Sequence, residues 1–400
     1  MTAGRTSRTA RTLACAAILA LQTGMAAAAA PSAATDRHAL GTAHEVVQHL
    51  IKDAAIPGLA ITVAVDSKVR WSAGYGTADL EHRVPTTPQT RMRIGSISKS
   101  MTAAAVASAV QLGVIDLDKS VRDYLPEIPA QYATITLREL GGHLSGIRSY
   151  RSASEQMVHR HYDTVKEALA IFLDDPLQNP PGTKFLYTSY GFVLLSAAAE
   201  RAAHVTFDEF MSTYLWTPLK MQHTGFDDLT KIIQDRARQY QRNSKGELIN
   251  AAFSDDSYKK AGSGMLSTAP DLAAFGTALL NNGALKSPIR SVLFTSQATI
   301  TGVRTGYGFG WFVDMDKFLN DHRSEIPTEQ YLRLAAISHG RQLIWHSGTA
   351  SGATAMLLLS PEAHVVVAMI CNLGGVEPQV IAASMEVEAA LSHAAVRDAP

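Results

Sequence analysis

Ser96-Ile97-Ser98-Lys99 places a hydroxyl and an amine three positions apart at the start of an alanine-rich run. On an α-helix that spacing puts both groups on one face, about one turn apart. A neutral, desolvated lysine there can take the proton of the serine hydroxyl and make the serine a nucleophile. The amino terminus of the helix adds backbone N–H groups and a positive dipole end where an oxyanion would form. Residues 101–114 are built from small and apolar side chains, among them Ala103, Ala104, Ala105, Val106, Ala107 and Val110. A helix apolar on every side is a buried one, and burial lowers a lysine pKa.

The spacing alone has a plainer reading, a serine N-cap followed by a surface lysine. About one or two S-x-x-K matches arise by chance in a chain of this length, and Ser257-Tyr258-Lys259-Lys260 is a second one. It runs into Ala261-Gly262-Ser263-Gly264, which reads as a loop and so lacks the helix that gives the spacing meaning. Other groups bear on the choice. Residues 179–191 form a Pro/Gly turn that delivers Tyr187 and Ser189 just before an apolar helix, and His346-Ser347-Gly348-Thr349 sits at the end of a late strand. Taken singly, Tyr187 and His346 are more often structural than catalytic. His143 reads as the residue that fixes its turn, and Cys371 as a buried structural thiol.

The elements that must hold these groups follow from periodicity. Residues 36–54 carry Val46, Val47, Leu50 and Ile51 on one helical face. Strand patterns cover 59–65 and 69–75 around a turn at Asp66-Ser67-Lys68, with 76–81 as a continuation or third strand. The middle is helical: 136–143, 164–173, 190–203, 207–215, and 271–280, which Gly283 ends. Strands return at 307–313, 342–346, 353–359 and 365–370, and a terminal helix covers 376–391; the charged segment 314–333 reads as a surface loop or insertion. Early and late strands separated by helices imply an α/β (α+β) fold. One antiparallel sheet is made from both chain ends (about 36–95 and 300–394), flanked by helices, with a helical subdomain (about 96–299) inserted. A groove between the two parts is the natural place for a site.

Composition excludes several classes. With 46% hydrophobic and 18% charged residues in 400, the chain suffices for a large core, and zero formal charge indicates no polyanion-binding surface. No nucleic-acid-binding signature is present. Residues 1–30 read as a secretory signal peptide: Arg5, Arg8 and Arg11 precede an apolar run at 13–21, followed by small residues. An Arg-rich leader also fits an organelle transit peptide, but the unbroken apolar core favours export. That core is too short to span a bilayer, so no stable membrane anchor is expected after cleavage. The expected location is secreted and periplasmic. Removing the leader leaves a charge of −3 and Cys371 as the single cysteine.

Together, Ser96/Lys99, Tyr187/Ser189 and His346/Gly348 resemble, in order, the S-x-x-K, Y-x-[NS] and [KH]-x-G elements of the serine β-lactamase and penicillin-recognising family, in its class C, DD-peptidase and esterase branch. Residues 142–147 and Tyr307-Gly308-Phe309-Gly310-Trp311 match too, and the likeness runs from about Ile56 to Leu391. The runs 235–240 and 256–262 are similar to the mitochondrial serine β-lactamase-like proteins and their bacterial relatives. The resemblance implies a β-lactamase/transpeptidase-like fold at 36–394 and an acyl-enzyme on Ser96. Lys99 and Tyr187 would move protons, and which of them is the base stays open. The N–H groups of Ser96 and Thr349 would hold the oxyanion, and Ser189, His346 and Gly348 would serve substrate binding. No metal or cofactor is needed, and the expected partner is a small-molecule or peptide substrate. Ser189 stands where class C enzymes usually carry Asn, and His346 where many carry Lys. A titratable imidazole would hold a substrate carboxylate only below about pH 6.5. Both departures favour a peptidase or esterase over efficient antibiotic hydrolysis. The alternative is an idle binding or assembly protein that retains the fold.

Overall fold

Three apolar runs, Gly58–Val65, Ala353–Ser360 and Val365–Cys371, are buried along their whole length, the pattern of strands covered on both faces. In the computed structural model, which describes residues 33–281 and 285–396, they form the centre of a six-stranded antiparallel sheet. Its order is Val84–Pro85, Lys68–Asp79, Gly58–Val65, Val365–Cys371, Ala353–Ser360, Ile344–Ala350. The first long strand pairs directly with the last, Leu59 opposite Cys371 and Val65 opposite Val365, so the two chain ends are knit together at the middle of the sheet. Pro85 lies on an outer strand, where its missing N–H leaves no ladder bond unmade.

Alternation along these strands sorts their side chains into two cores. Leu59, Ile61, Val63, Val367, Met369 and Cys371 pack with Ala43, Val47 and Leu50 of helix Ala33–Asp53 and with Val380 and Met385 of helix Glu377–Val396. Ala60, Ala64, Val366, Ala368 and Ile370 face the other way, onto Leu272 and Phe275 of helix Ala269–Leu280 and onto the helical half of the molecule. At the centre of that half lies helix Ile97–Gln111, buried around most of its circumference, as its alanine-rich sequence requires. Helices Leu137–Gly141 and Ser189–Ala203 pack nearby, the first closed by a Thr136/Glu139 capping box and the second by Thr188.

Five expectations change. Residues 307–313 are not a strand: Gly306 and Gly310 take φ of +77° and +78°, and a Cβ on Gly308 would lie 2.1 Å from the Leu293 carbonyl. The apolar/glycine alternation imitates a strand period, but the glycines serve a tight turn. Its Tyr307 bridges to Phe312, and Phe312 to Trp345. The strand expected at 342–346 is Ile344–Ala350, so His346 lies inside it rather than at its end. The segment 314–333 is no loop; helices Met315–Asp321 and Thr328–Ser338 bury Met315, Leu319 and Leu334 in the core beside the terminal helix. The third early strand is Val84–Pro85, with 76–79 belonging to the second. The middle helices at 164–173 and 207–215 shorten to Val165–Leu169 and Phe207–Met211, the latter followed by a π-turn at Ser212–Trp216. The expected leader and Gly283 lie outside the described residues. No helix among the described residues is long and apolar enough to cross a membrane.

Candidate active site

Ser96 immediately precedes helix Ile97–Gln111, at φ −67° and ψ −7°, and its side chain makes no capping bond. The plain N-cap reading therefore fails, and the hydroxyl is free for another partner. That partner is Lys99, whose Nζ lies 3.0 Å from Ser96 Oγ. Lys99 is fully buried, with Nζ also 2.8 Å from the Gly262 carbonyl and 3.1 Å from Ser189 Oγ. Burial, with a smaller push from the charge of Lys259, holds the Lys99 amine well below the usual lysine pKa. A neutral amine has two N–H donors and one lone pair. The Gly262 carbonyl can only accept, and the Ser189 hydroxyl can take the second N–H. The lone pair is then left to accept the proton of Ser96 Oγ.

The segment 179–191 is tied to the turn around His143. Leu186 N–H donates to the His143 carbonyl (2.8 Å), Thr188 N–H to His143 Nδ1 (3.2 Å), and Thr188 Oγ1 to the Arg148 carbonyl (2.6 Å). His143 itself takes φ +59° and is fully buried, its ring 4.3 Å from that of Tyr187. Burial keeps this imidazole neutral, and a proton on neighbouring Lys99 or His346 would push it the same way. These bonds aim Tyr187 at Ser96. Its ring lies 4.8 Å from Lys99 Nζ, and its hydroxyl is hydrogen-bonded to Ser96 and 3.5 Å from His346 Nε2. Desolvation raises the Tyr187 pKa, so it stays a phenol that can donate a proton.

Ser189 and His346, the side chains expected to bind substrate, both make contacts within the protein. Ser189, at the start of helix Ser189–Ala203, turns its hydroxyl onto Lys99 and is buried. His346 is buried, with Nδ1–H donating to the Ser347 carbonyl (2.6 Å) while Nε2 accepts from the Tyr307 hydroxyl (3.1 Å). Burial, and next the repulsion a proton on Lys99 would exert, lowers its pKa to about 3. It is a neutral hydrogen-bonding ring at physiological pH, not a switchable cation.

Gly348 and Thr349 stand where the outer strand Ile344–Ala350 crosses the turn before Ser96. Trp345 exchanges both backbone bonds with Phe312, away from the sheet. By alternation Ser347 and Thr349 also present their N–H groups on that open edge. The crossing is a glycine-on-glycine contact. A Cβ on Gly348 would lie 1.8 Å from the Ile94 carbonyl oxygen and 3.1 Å from Ser96 N; one on Gly95, at φ +50°, would lie 2.5 Å from Thr349 N. Ser96 N–H has no acceptor among the described residues. Two N–H groups thus meet beside Ser96 Oγ, the arrangement of an oxyanion hole.

The sequence reading gave no role to Gly95, Gly262 or Tyr307. Gly95 and Tyr307 carried usable signals, a glycine next to the nucleophile and a tyrosine in a glycine-rich turn. Gly262 acts through its carbonyl, which sequence does not reveal. The second S-x-x-K forms a 3-10 turn, Ser257–Lys259, and the residues after it, expected as a loop, continue as helix Lys260–Ser263. Ser257 Oγ accepts from Tyr162 N–H, and Lys260 pairs with Asp208 at 2.8 Å, so this pair is engaged elsewhere. Both residues line a surface groove of about 1240 Å³ that includes none of the Ser96 cluster. Ser96, Tyr187, His346 and Thr349 instead open on a cavity of about 490 Å³, walled on its far side by the two helices of segment 314–338.

The Beta-lactamase family model matches residues 43–391. The serine beta-lactamase-like protein LACTB, mitochondrial, of Bos taurus is 30% identical, over 82% of this chain and 75% of its own. The Mus musculus protein of the same name is 28% identical, over 87% and 80%. Among solved structures, an octameric penicillin-binding protein homologue from Pyrococcus abyssi superposes with a TM-score of 0.70 at 25% identity, covering 86% of this chain and 76% of that one. A class C beta-lactamase superposes with a TM-score of 0.70 at 19% identity, covering 89% and 97%. The fold and the family model, which spans both the Ser96-Lys99 pair and the His346 strand, lead to one conclusion: this chain belongs to the beta-lactamase family.

Proposed function

We propose that the protein is a secreted, periplasmic serine hydrolase that forms an acyl-enzyme on Ser96, of peptidase or esterase type. The observation that carries this reading is the 3.0 Å contact between Ser96 Oγ and the amine of a fully buried Lys99. Ser96 Oγ attacks the substrate carbonyl carbon while Lys99 takes its proton, and the carbonyl oxygen becomes an oxyanion facing the N–H groups of Ser96 and Thr349. Collapse of the tetrahedral adduct breaks the bond to the leaving amine or alcohol, which takes a proton from the Tyr187 phenol; Lys99 returns a proton to Tyr187. Water then attacks the acyl-enzyme, losing its proton to the same pair, and Ser96 is released with the acid. The neutral state of His346 supports peptides and esters over carboxylate-bearing β-lactams. Export is supported by the arginine-then-apolar pattern of the first 30 residues.

Incubation with a fluorophosphonate, followed by intact mass and peptide mapping, should add one phosphonyl group at Ser96. A folded protein that takes no label would establish the alternative, an idle binding protein. Protein recovered from the periplasm should lack the leader on amino-terminal sequencing; retention of Met1 counts against a cleaved signal peptide, and protein found only in the cytoplasm counts against export.

A further inference from the structure

The cavity in front of Ser96 has an unusual charge for a site expected to grip a carboxylate. Two carboxylates, Glu325 and Glu377, line it, and its lining contains no lysine or arginine. His346 is hydrogen-bonded as a neutral ring. His346 spends its N–H on the Ser347 carbonyl and accepts from Tyr307, while His322 lies against Phe318 with Nδ1 bonded to the Phe318 carbonyl.

Glu377 is the better placed of the two acids. It opens the terminal helix Glu377–Val396, and its Oε1 accepts from the hydroxyl of Ser347, two residues before Thr349 on the same strand edge. Further along this helix Glu386 and Glu388 are neutralised by Arg333 and Arg341. No such cation partners Glu377 among the described residues. Its charge is felt at the Tyr187 phenol, beside the nucleophile. The remaining walls are apolar, with Phe312, Phe318, Trp345 and Ile381 prominent. At 490 Å³ the space suits a small molecule or a few residues of peptide.

We propose that this cavity selects acyl-transfer substrates whose apolar part carries a free amine and no carboxylate, with the ammonium seated against Glu377. Amino-acyl esters, amides and short peptides offering a free amine are the fitting class. The inference rests on Ser96 acting as the nucleophile. Each turnover consumes one water and returns the acid and the released alcohol or amine, so no further reactant is involved. An ammonium and a carboxylate at the same point feel opposite fields, and in a partly desolvated cavity the difference amounts to about tenfold or more in binding.

The test uses three p-nitrophenyl esters of equal chain length, ending in methyl, ammonium or carboxylate. Wild-type kcat/KM should rank ammonium over methyl over carboxylate, with at least about tenfold between the extremes. Glu377→Gln should bring the ammonium-to-methyl ratio towards one, and Glu377→Lys should invert the order. The wild-type ranking stands by itself if either variant fails to fold. A wild-type enzyme that takes the carboxylate ester as well as the ammonium ester, while Ser96 is labelled by fluorophosphonate, overturns the selectivity and leaves the hydrolase reading intact. Failure of both labelling and hydrolysis overturns the two together.

Discussion

Gly348→Ala adds a single methyl group where the outer strand crosses the turn before the nucleophile. Its Cβ would stand 1.8 Å from the Ile94 oxygen, 2.8 Å from the Ile94 carbon and 3.1 Å from Ser96 N. Contacts below 3.0 Å do not occur for real Cβ atoms, so the strand and the turn must part by at least about 1.2 Å. The obstructing atoms are backbone, and the Ile94 N–H is already bonded to the Met265 carbonyl, so no side chain can swing aside. The separation falls between the N–H groups of Ser96 and Thr349. A misplacement of about 1 Å costs about 10²-fold in rate, and loss of one oxyanion donor about 10²–10³-fold. Acylation should therefore fall by about 10²–10³-fold, equivalent to about 3–4 kcal/mol of transition-state stabilisation. Overpacking should also destabilise the fold by about 1–3 kcal/mol. The assay is the second-order rate constant for fluorophosphonate labelling, with a melting curve on the same sample. Gly41→Ala, where nothing lies within 4 Å, is the control. A folded Gly348→Ala protein labelled within about threefold of wild type would refute the argument that this crossing sets the oxyanion donors.

Three other perturbations follow from the same geometry. Ser96→Ala should abolish labelling with a melting temperature close to wild type, since the Ser96 side chain caps nothing; a large drop in stability would mean the hydroxyl is structural. For Lys99, the folded pKa lies below the unfolded one, so between the two the unfolded chain holds a proton, up to the ordinary lysine value of 10.5, that the folded chain has lost. Stability should rise with pH between the folded and unfolded values by about 1.4 kcal/mol per unit from this group. That slope should be missing in Lys99→Met, which should also resist labelling; parallel stability-versus-pH curves for the two proteins contradict a neutral lysine. The Cys371 thiol, fully buried and pushed up to about 11, should react with a thiol reagent only on unfolding; rapid native-state reaction would disprove its burial.

The Ser96–Lys99 pair was legible because its geometry is local. Three residues along a helix fix the Ser96–Lys99 geometry, and the alanine-rich run announces the burial that a neutral lysine requires. Unbroken apolar runs likewise disclosed the central strands. Periodicity failed where glycine stood in for alternation, as at 307–313, and where a charged stretch concealed buried Met315, Leu319 and Leu334. Charge density at 314–333 suggested solvent, yet a few apolar residues per turn are enough to dock a short helix.

By itself the sequence determined the apolar periods, the helix that carries Ser96 and Lys99, and the sheet assembled from both chain ends. These depend on contacts within a few residues and on which segments must leave water. Tertiary structure decided everything that depends on one chain segment crossing another. Gly348 meets Ile94 and Gly95 across about 250 residues of chain, Gly262 supplies a carbonyl to Lys99, and Ser189 turns its hydroxyl to that lysine. It also decided the charge of His346. An isolated imidazole titrates near neutrality, but burial beside Lys99, with Tyr307 and the Ser347 carbonyl holding its two nitrogens, keeps it neutral and leaves Glu377 to set the sign of the cavity.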